Sequence, residues 1–125
     1  MPPADLGGVL AGSRGLTFGA SYAADGAAVY QTNHGAAHDR ADTNTANPAG
    51  QIFSLAMMLR QSFGLHAAAR LIEDSVRAVW RTRWRTADLM EPGCKVAGTR
   101  QFAELVACEI QSPAMRKYEA CSTAG

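Results

Sequence analysis

The segment from Asn47 to Gly64 constrains the fold more than any other part of this chain. Asn47 is a strong helix cap, because its side-chain oxygen can accept a hydrogen bond from a first-turn N–H that has no partner inside the helix. Pro48 suits the first helical position, where its missing N–H costs nothing. Gly64 is a common helix terminator. Between them Ile52, Leu55, Met58 and Leu59 recur at helical spacing, and Phe53, Ala56 and Met57 widen the apolar stripe. A helix apolar over so much of its surface is expected to be largely buried, with core packing the first role for its two Met and Phe53.

The other elements follow from the same kind of reading. Leu6, Val9 and Leu10 are the apolar anchors of a Gly- and Ala-rich start, compatible with a short helix ending near Gly12. Gly15 to Tyr22 and Ala27 to Thr32 read as two extended segments, with Asp25-Gly26 as the turn of a hairpin between them. A second helix is predicted over His66–Arg81, burying Ala68, Leu71, Ile72, Val76 and Val79, with Glu73 and Arg77 spaced to pair. The basic run Arg81-Thr82-Arg83-Trp84-Arg85 is short and balanced by Asp88 and Glu91, so it reads as a solvated helix end near the negative pole of the dipole. Pro92-Gly93 marks a turn, and Thr99 is placed as the cap of a third helix carrying Phe102, Leu105, Val106 and Ile110 on one face. From Ser112 the residues are small, polar and aperiodic, and a frayed tail is expected. Little sheet accompanies so much helix: the pattern fits either a small α+β unit or part of a larger layered domain.

At 125 residues there is room for one domain. A net charge of +1 gives no dominant attraction to nucleic acid or anionic membrane. No apolar run approaches the length that spans a bilayer, and Met1-Pro2-Pro3-Ala4-Asp5 lacks the features of a signal peptide, which makes the cytoplasm the default location. Cys94, Cys108 and Cys121 are odd in number and widely spaced, which favours free thiols over a disulfide framework or zinc site.

The polar stretch Asn33-His34-Gly35-Ala36-Ala37-His38-Asp39-Arg40-Ala41-Asp42-Thr43-Asn44-Thr45-Ala46-Asn47-Pro48 leads directly into the apolar helix. Polar groups tied to a rigid element in this way suit a binding loop. Its text resembles the β-decarboxylating dehydrogenases, the family of 3-isopropylmalate and isocitrate dehydrogenases, whose pattern here is approximately H-G-S-A-P-D-I-A-G-x-x-x-A-N-P. His34 through Asp42 and then Ala46-Asn47-Pro48 stand in that register. Gln51 to Arg60, Arg85-Thr86-Ala87-Asp88-Leu89, Gly98-Thr99, Gly12 to Leu16 and Ala20-Ser21 are similar to family segments in the same order, so the resemblance covers about Asp5 to Ile110. The helix text and R-T-A-D-L favour the isopropylmalate branch.

The resemblance implies an α/β, isopropylmalate-dehydrogenase-like fold of which the C-terminal portion is present: short strands, a cofactor loop and three helices. Residues 1–111 would form this partial domain and 112–125 a flexible tail. It implies NAD-dependent oxidative decarboxylation of a 3-substituted malate, in leucine biosynthesis, by an enzyme that uses Mg or Mn and forms a homodimer. In the family this loop wraps the adenosine end of the cofactor. His34 would lie against the adenine, Asn47 would bond its edge, and Asp39 would accept the ribose hydroxyls, with Gly35, Ala36 and Ala37 completing the loop. A carboxylate at Asp39 favours NAD over NADP because it repels a 2′-phosphate. Arg40 beside it is a cation able to pair a phosphate. Asp5 alone falls on a metal-ligand position. The family's Ser, Pro and loop-closing Gly are replaced by Ala36, His38 and Asp42, the last at a position expected to need positive φ. Most of the family's catalytic groups have no counterpart here, so the chain alone is expected to be inactive. The alternative readings are a non-catalytic nucleotide-binding module and a helical interaction remnant.

Overall fold

In a computed structural model of the chain, residue 16, residues 18–33 and residues 37–124 are described, the side chains as far as residue 111. The order of elements is β1 (Phe18–Tyr22), β2 (Ala28–Thr32), a 3-10 turn at His38–Arg40, α1 (Ala49–Gln61), α2 (His66–Arg81), β3 (Trp84–Arg85), a 3-10 turn at Ala87–Leu89, β4 (Lys95–Val96) and α3 (Thr99–Ala124). The fold is α/β in content, with short strands and three helices. The expected short helix near Gly12 and the anchors Leu6, Val9 and Leu10 lie outside the described residues.

β1 and β2 form the expected antiparallel hairpin, paired from Phe18 opposite Thr32 to Tyr22 opposite Ala28. Its turn is built as Asp25-Gly26 requires. Gly26 takes φ 92, a conformation that costs glycine nothing, and the Asp25 carboxylate accepts the Ala27 N–H at 3.0 Å. One face of the hairpin lies on α1, where the Tyr30 and Ser62 hydroxyls are 2.7 Å apart. α1 packs against α2, and α2 against α3.

α1 is a helix between the expected cap and stop. Gly64, at φ 64, reverses the chain so that the Leu65 N–H reaches the Leu59 carbonyl at 2.8 Å. Its burial departs from the sequence expectation. Ala49, Gly50, Ser54 and Ala56 are buried, whereas Ile52, Phe53, Met57, Met58 and Leu59 are half-buried and Leu55 is exposed. Helices approach closely over small residues, so the bulky ones lie at the margins of the contact with the hairpin and α2. In α2, similarly, Ala69 and Ser75 join Ile72, Val76 and Val79 in the core while Ala68 and Leu71 are half-buried. The buried hydroxyls of Ser54 and Ser75 donate to the Gly50 and Leu71 carbonyls of their own helices at 2.9 and 2.7 Å.

The main core joins Ala49, Val76, Val79, Ala97, Phe102 and Val106. Glu73 is not paired with Arg77. It takes Arg60 of α1 at 2.6 Å, and Arg77 pairs with Asp74 at 3.2 Å. The interhelix pair is the less exposed of the two and so the less screened by water.

The basic run is a solvated helix end only in its first part, where Arg81, in the last turn of α2, and Thr82 and Arg83 are exposed. Trp84-Arg85 forms β3 and pairs in parallel with Lys95-Val96. The Arg85 guanidinium turns back to donate to the Trp80 and Trp84 carbonyls, the first of which, in the last turn of α2, also accepts the Arg83 N–H at 3.0 Å. Lys95 Nζ sits 4.7 Å from the centre of the Trp84 ring, a cation–π contact. α3 keeps helical backbone through Ala124, beyond the point where its apolar period ends.

Several large apolar side chains face solvent. Tyr22 and Val29 on the hairpin are 62% and 56% exposed, and Phe63 and Leu65 in the α1–α2 turn are 62% and 51% exposed. Surface of this kind binds apolar partners or dyes. The purified chain is therefore expected to enhance the fluorescence of an apolar dye below its melting transition. A cooperatively melting monomer with no dye response would contradict that expectation.

Candidate functional site

The loop after β2 has few side chains large enough to form a core, and it is shaped by backbone geometry and short polar contacts. Ala37 opens the described part in the left-handed region, at φ 46 and ψ 53. The Arg40 N–H then bonds the Ala37 carbonyl at 2.9 Å and the Ala41 N–H bonds the His38 carbonyl at 3.2 Å, closing the 3-10 turn. Asp42 has φ 60 and Asn44 φ 57. Asp and Asn tolerate this region, whereas for Ala it costs about 1–2 kcal/mol. Asp42 thus adopts the positive φ expected where it replaces glycine. Thr43 stitches the interior, its hydroxyl donating to the Arg40 carbonyl at 2.7 Å and lying 2.6 Å from the Thr45 hydroxyl.

His38, Asp39 and Arg40 are all exposed. The site assigned to Asp39 is therefore open to a ligand, with Arg40 adjacent in the same turn. His34, Gly35 and Ala36 lie outside the described residues, as does Asp5. Among the described residues, no group of three or more His, Cys, Asp and Glu could hold a metal ion.

Asn47 sits where the loop becomes α1. Its Oδ1 accepts the Ala49 N–H at 2.9 Å, and its Nδ2 donates to Asp88 Oδ2 at 3.0 Å. Pro48 has helical dihedrals, and its carbonyl accepts the first bond of the helix from Ile52 N–H at 3.1 Å. Asn47 is thus the capping side chain, as its position before Pro48 predicts. An amide side chain has two donor and two acceptor positions. These two bonds use one of each.

The structure adds Asp88, which the sequence offered only as a counter-charge to the nearby arginines. Its carboxylate receives Asn47 Nδ2 and, at 2.5 Å, the hydroxyl of fully buried Thr86. The signal legible in the sequence is R-T-A-D-L, but nothing in its text points to Asn47, 41 residues away.

A second contact joins the loop to α3. The Asn44 carbonyl accepts the Thr99 N–H and Asn44 Oδ1 accepts the Arg100 N–H, each at 3.0 Å. Thr99 Oγ1 donates to the Ala46 carbonyl at 2.6 Å. Thr99 was expected to cap α3. It is instead the first residue of the helix, its hydroxyl bonds back to the loop, and the capping side chain comes from Asn44.

Elsewhere a cavity of about 310 Å³ opens between β1, α1 and α2, lined by Phe18, Phe53, Met57, Arg60, Gln61, Glu73 and Arg77. It lies along the C-terminal half of α1, away from the loop at the helix's other end.

A family model described as isocitrate/isopropylmalate dehydrogenase matches residues 4–106. The chain is 41% identical over 108 residues to the 3-isopropylmalate dehydrogenase of Halalkalibacterium halodurans, which covers 86% of this chain and 30% of that protein. It is 46% identical over 91 residues to the 3-isopropylmalate dehydrogenase of Chromobacterium violaceum, covering 73% and 26%. The crystal structure of isocitrate dehydrogenase from Methylococcus capsulatus superimposes with a TM-score of 0.78 at 40% identity, covering 86% of this chain and 31% of that one. The chain therefore spans under a third of the length of these relatives.

Replacing Asn47 with Ala removes both the cap of α1 and the tie to Asp88. The expected cost is about 1–2 kcal/mol, seen as a melting point lower by roughly 3–10 °C for a domain of this size. An unchanged melting point would remove Asn47 from its bracing role.

Proposed function

The chain belongs to the isocitrate/isopropylmalate dehydrogenase family, and from that premise we propose that it supplies the adenosine-binding loop of an NAD-dependent dehydrogenase acting on a 3-substituted malate. The observation that carries this reading is the exposed Asp39 carboxylate, held on a loop braced against the N-terminal ends of two helices. In this reading Asp39 accepts the ribose hydroxyls, Asn47 uses its remaining donor and acceptor on the adenine edge, and His34 packs on the ring. Gly35, Ala36 and Ala37 keep side chains out of the way where backbone approaches the nucleotide. The assignments of His34, Gly35 and Ala36 rest on register with the family pattern.

An acidic group facing the ribose disfavours a 2′-phosphate by like-charge repulsion, which is the physical ground for NAD over NADP. NAD bound here would supply the hydride-accepting nicotinamide. What these residues do is hold its adenosine end and orient it. The residues of the metal and substrate sites, the dimer and the oxidative decarboxylation of leucine biosynthesis belong in this proposal to the complete enzyme. The chain alone binds without turnover. A second reading, a helical interaction module, is favoured by the exposed Phe63 and Leu65.

Calorimetry with ADP-ribose and NAD tests the first reading. Asp39→Ala is expected to weaken binding about 10–100-fold, the worth of hydrogen bonds to a charged acceptor. Equal affinity in the variant would reject the role of Asp39. The chain alone should give no NAD reduction with isopropylmalate or isocitrate and magnesium, and clear turnover would overturn the division of labour proposed here.

A further inference from the structure

Among the described residues, the hydrogen bonds of residues 37–43, the part of the loop that carries Asp39, stay within the loop. Its attachment to the fold comes two residues after Asp42. There Asn44 presents both its backbone carbonyl and its side-chain oxygen to the first turn of α3, meeting the N–H groups of Thr99 and Arg100. These are groups a helix cannot satisfy internally. Thr99 returns a bond to Ala46, so three hydrogen bonds pin a three-residue stretch of loop to one helical turn.

The close approach is possible because of Gly98. A Cβ there would stand 2.5 Å from Asn44 Nδ2 and 3.0 Å from the Asn44 carbonyl oxygen. The left-handed backbone of Asn44, at φ 57, aims both oxygens the same way, and Asn is among the few side chains that accept that conformation readily.

We infer that Asn44 is a positioning residue, which with Gly98 latches the loop onto α3 and thereby sets the placement of Asp39 and Asn47 for an adenosine ligand. The inference rests on the adenosine reading above for its ligand, and on the loop geometry for the latch. Asn44 caps α3 from 56 residues upstream. Loosening the contact therefore frees the C-terminal end of residues 37–46 from α3, while the hairpin and the α1–α2 contact stay intact.

The test combines amide exchange with ADP-ribose calorimetry on the full chain. Asn44→Gly keeps the left-handed backbone free of strain and removes the side-chain oxygen. It should speed exchange at Arg100 about fivefold and weaken ADP-ribose by a similar factor. Asn44→Asp retains an acceptor and adds a charge favourable at a helix N-terminus. It should restore both readouts, a rescue that a general loss of stability would not produce. Gly98→Ala should reproduce the Asn44→Gly phenotype from the other side of the contact. Wild-type exchange at Arg100 in Asn44→Gly, failure of Asn44→Asp to restore affinity, or unchanged affinity in Gly98→Ala would each overturn the latch. A wild-type chain that does not bind ADP-ribose would overturn the adenosine reading, and with it the ligand of this inference. The exchange data would still decide whether Asn44 holds the loop.

Discussion

A helix begins with N–H groups that its own hydrogen bonding cannot satisfy, and the functional end of this fold is organised by where those groups find acceptors. Two helix starts meet one loop. Asn47 supplies the acceptor for α1 and Asn44 supplies acceptors for α3. The loop thus satisfies both helices, and in return both helices hold the loop. Its described part, irregular and polar, with Ala37, Asp42 and Asn44 at positive φ, is shaped by these contacts rather than by buried apolar side chains.

The body of the molecule is held by a different device. A row of rings runs through it: Phe18 to Phe53 at 5.6 Å, Phe53 to Trp80 at 6.0 Å, and Trp80 to Phe102 at 6.3 Å between centroids. One ring comes from each of β1, α1, α2 and α3, so the series crosses every packed layer. Each pair adds about 0.5–1.5 kcal/mol beyond its buried area. Around the row the contacts are made by small residues, Ala49, Ala56, Ala69 and Ala97, which bring the helices close but bury little area apiece. Among the described residues the Trp80 indole Nε1 is buried without a hydrogen-bond partner, a cost of about 1–3 kcal/mol set against the packing of its ring. Energy is therefore concentrated in few side chains, and the hairpin and α1–α2 turn keep large apolar groups in water.

Local rules were legible where the relevant contact is local. The Asp25-Gly26 turn, the Asn47-Pro48 start and the Gly64 stop each involve residues within a few positions of one another, and the structure has all three. Expectations failed where a distant group competes. Glu73 pairs with Arg60 because the neighbouring helix brings a less exposed cation to it than Arg77 can. Arg85 bonds the Trp80 carbonyl in the last turn of α2 because the chain folds back through β3. Strands of two residues, β3 and β4, carry no period to read. Thr99 loses the cap of α3 to Asn44 because the loop arrives there through the tertiary fold.

By itself, the order of residues determined the helices and hairpin of this protein, the family to which it belongs, and the loop that carries Asp39 and Asn47. Those properties reside in spacing, turn chemistry and ordered family text, all one-dimensional quantities. Only the tertiary structure decided that Asp88 meets Asn47, that Asn44 reaches the first turn of α3, and that Gly98 must lack a side chain for it to do so. These contacts join residues 41 to 56 positions apart. Hydrogen bonds depend on distances of a few tenths of an ångström, and such distances are set by how helices pack and by which orphaned N–H groups lie within reach.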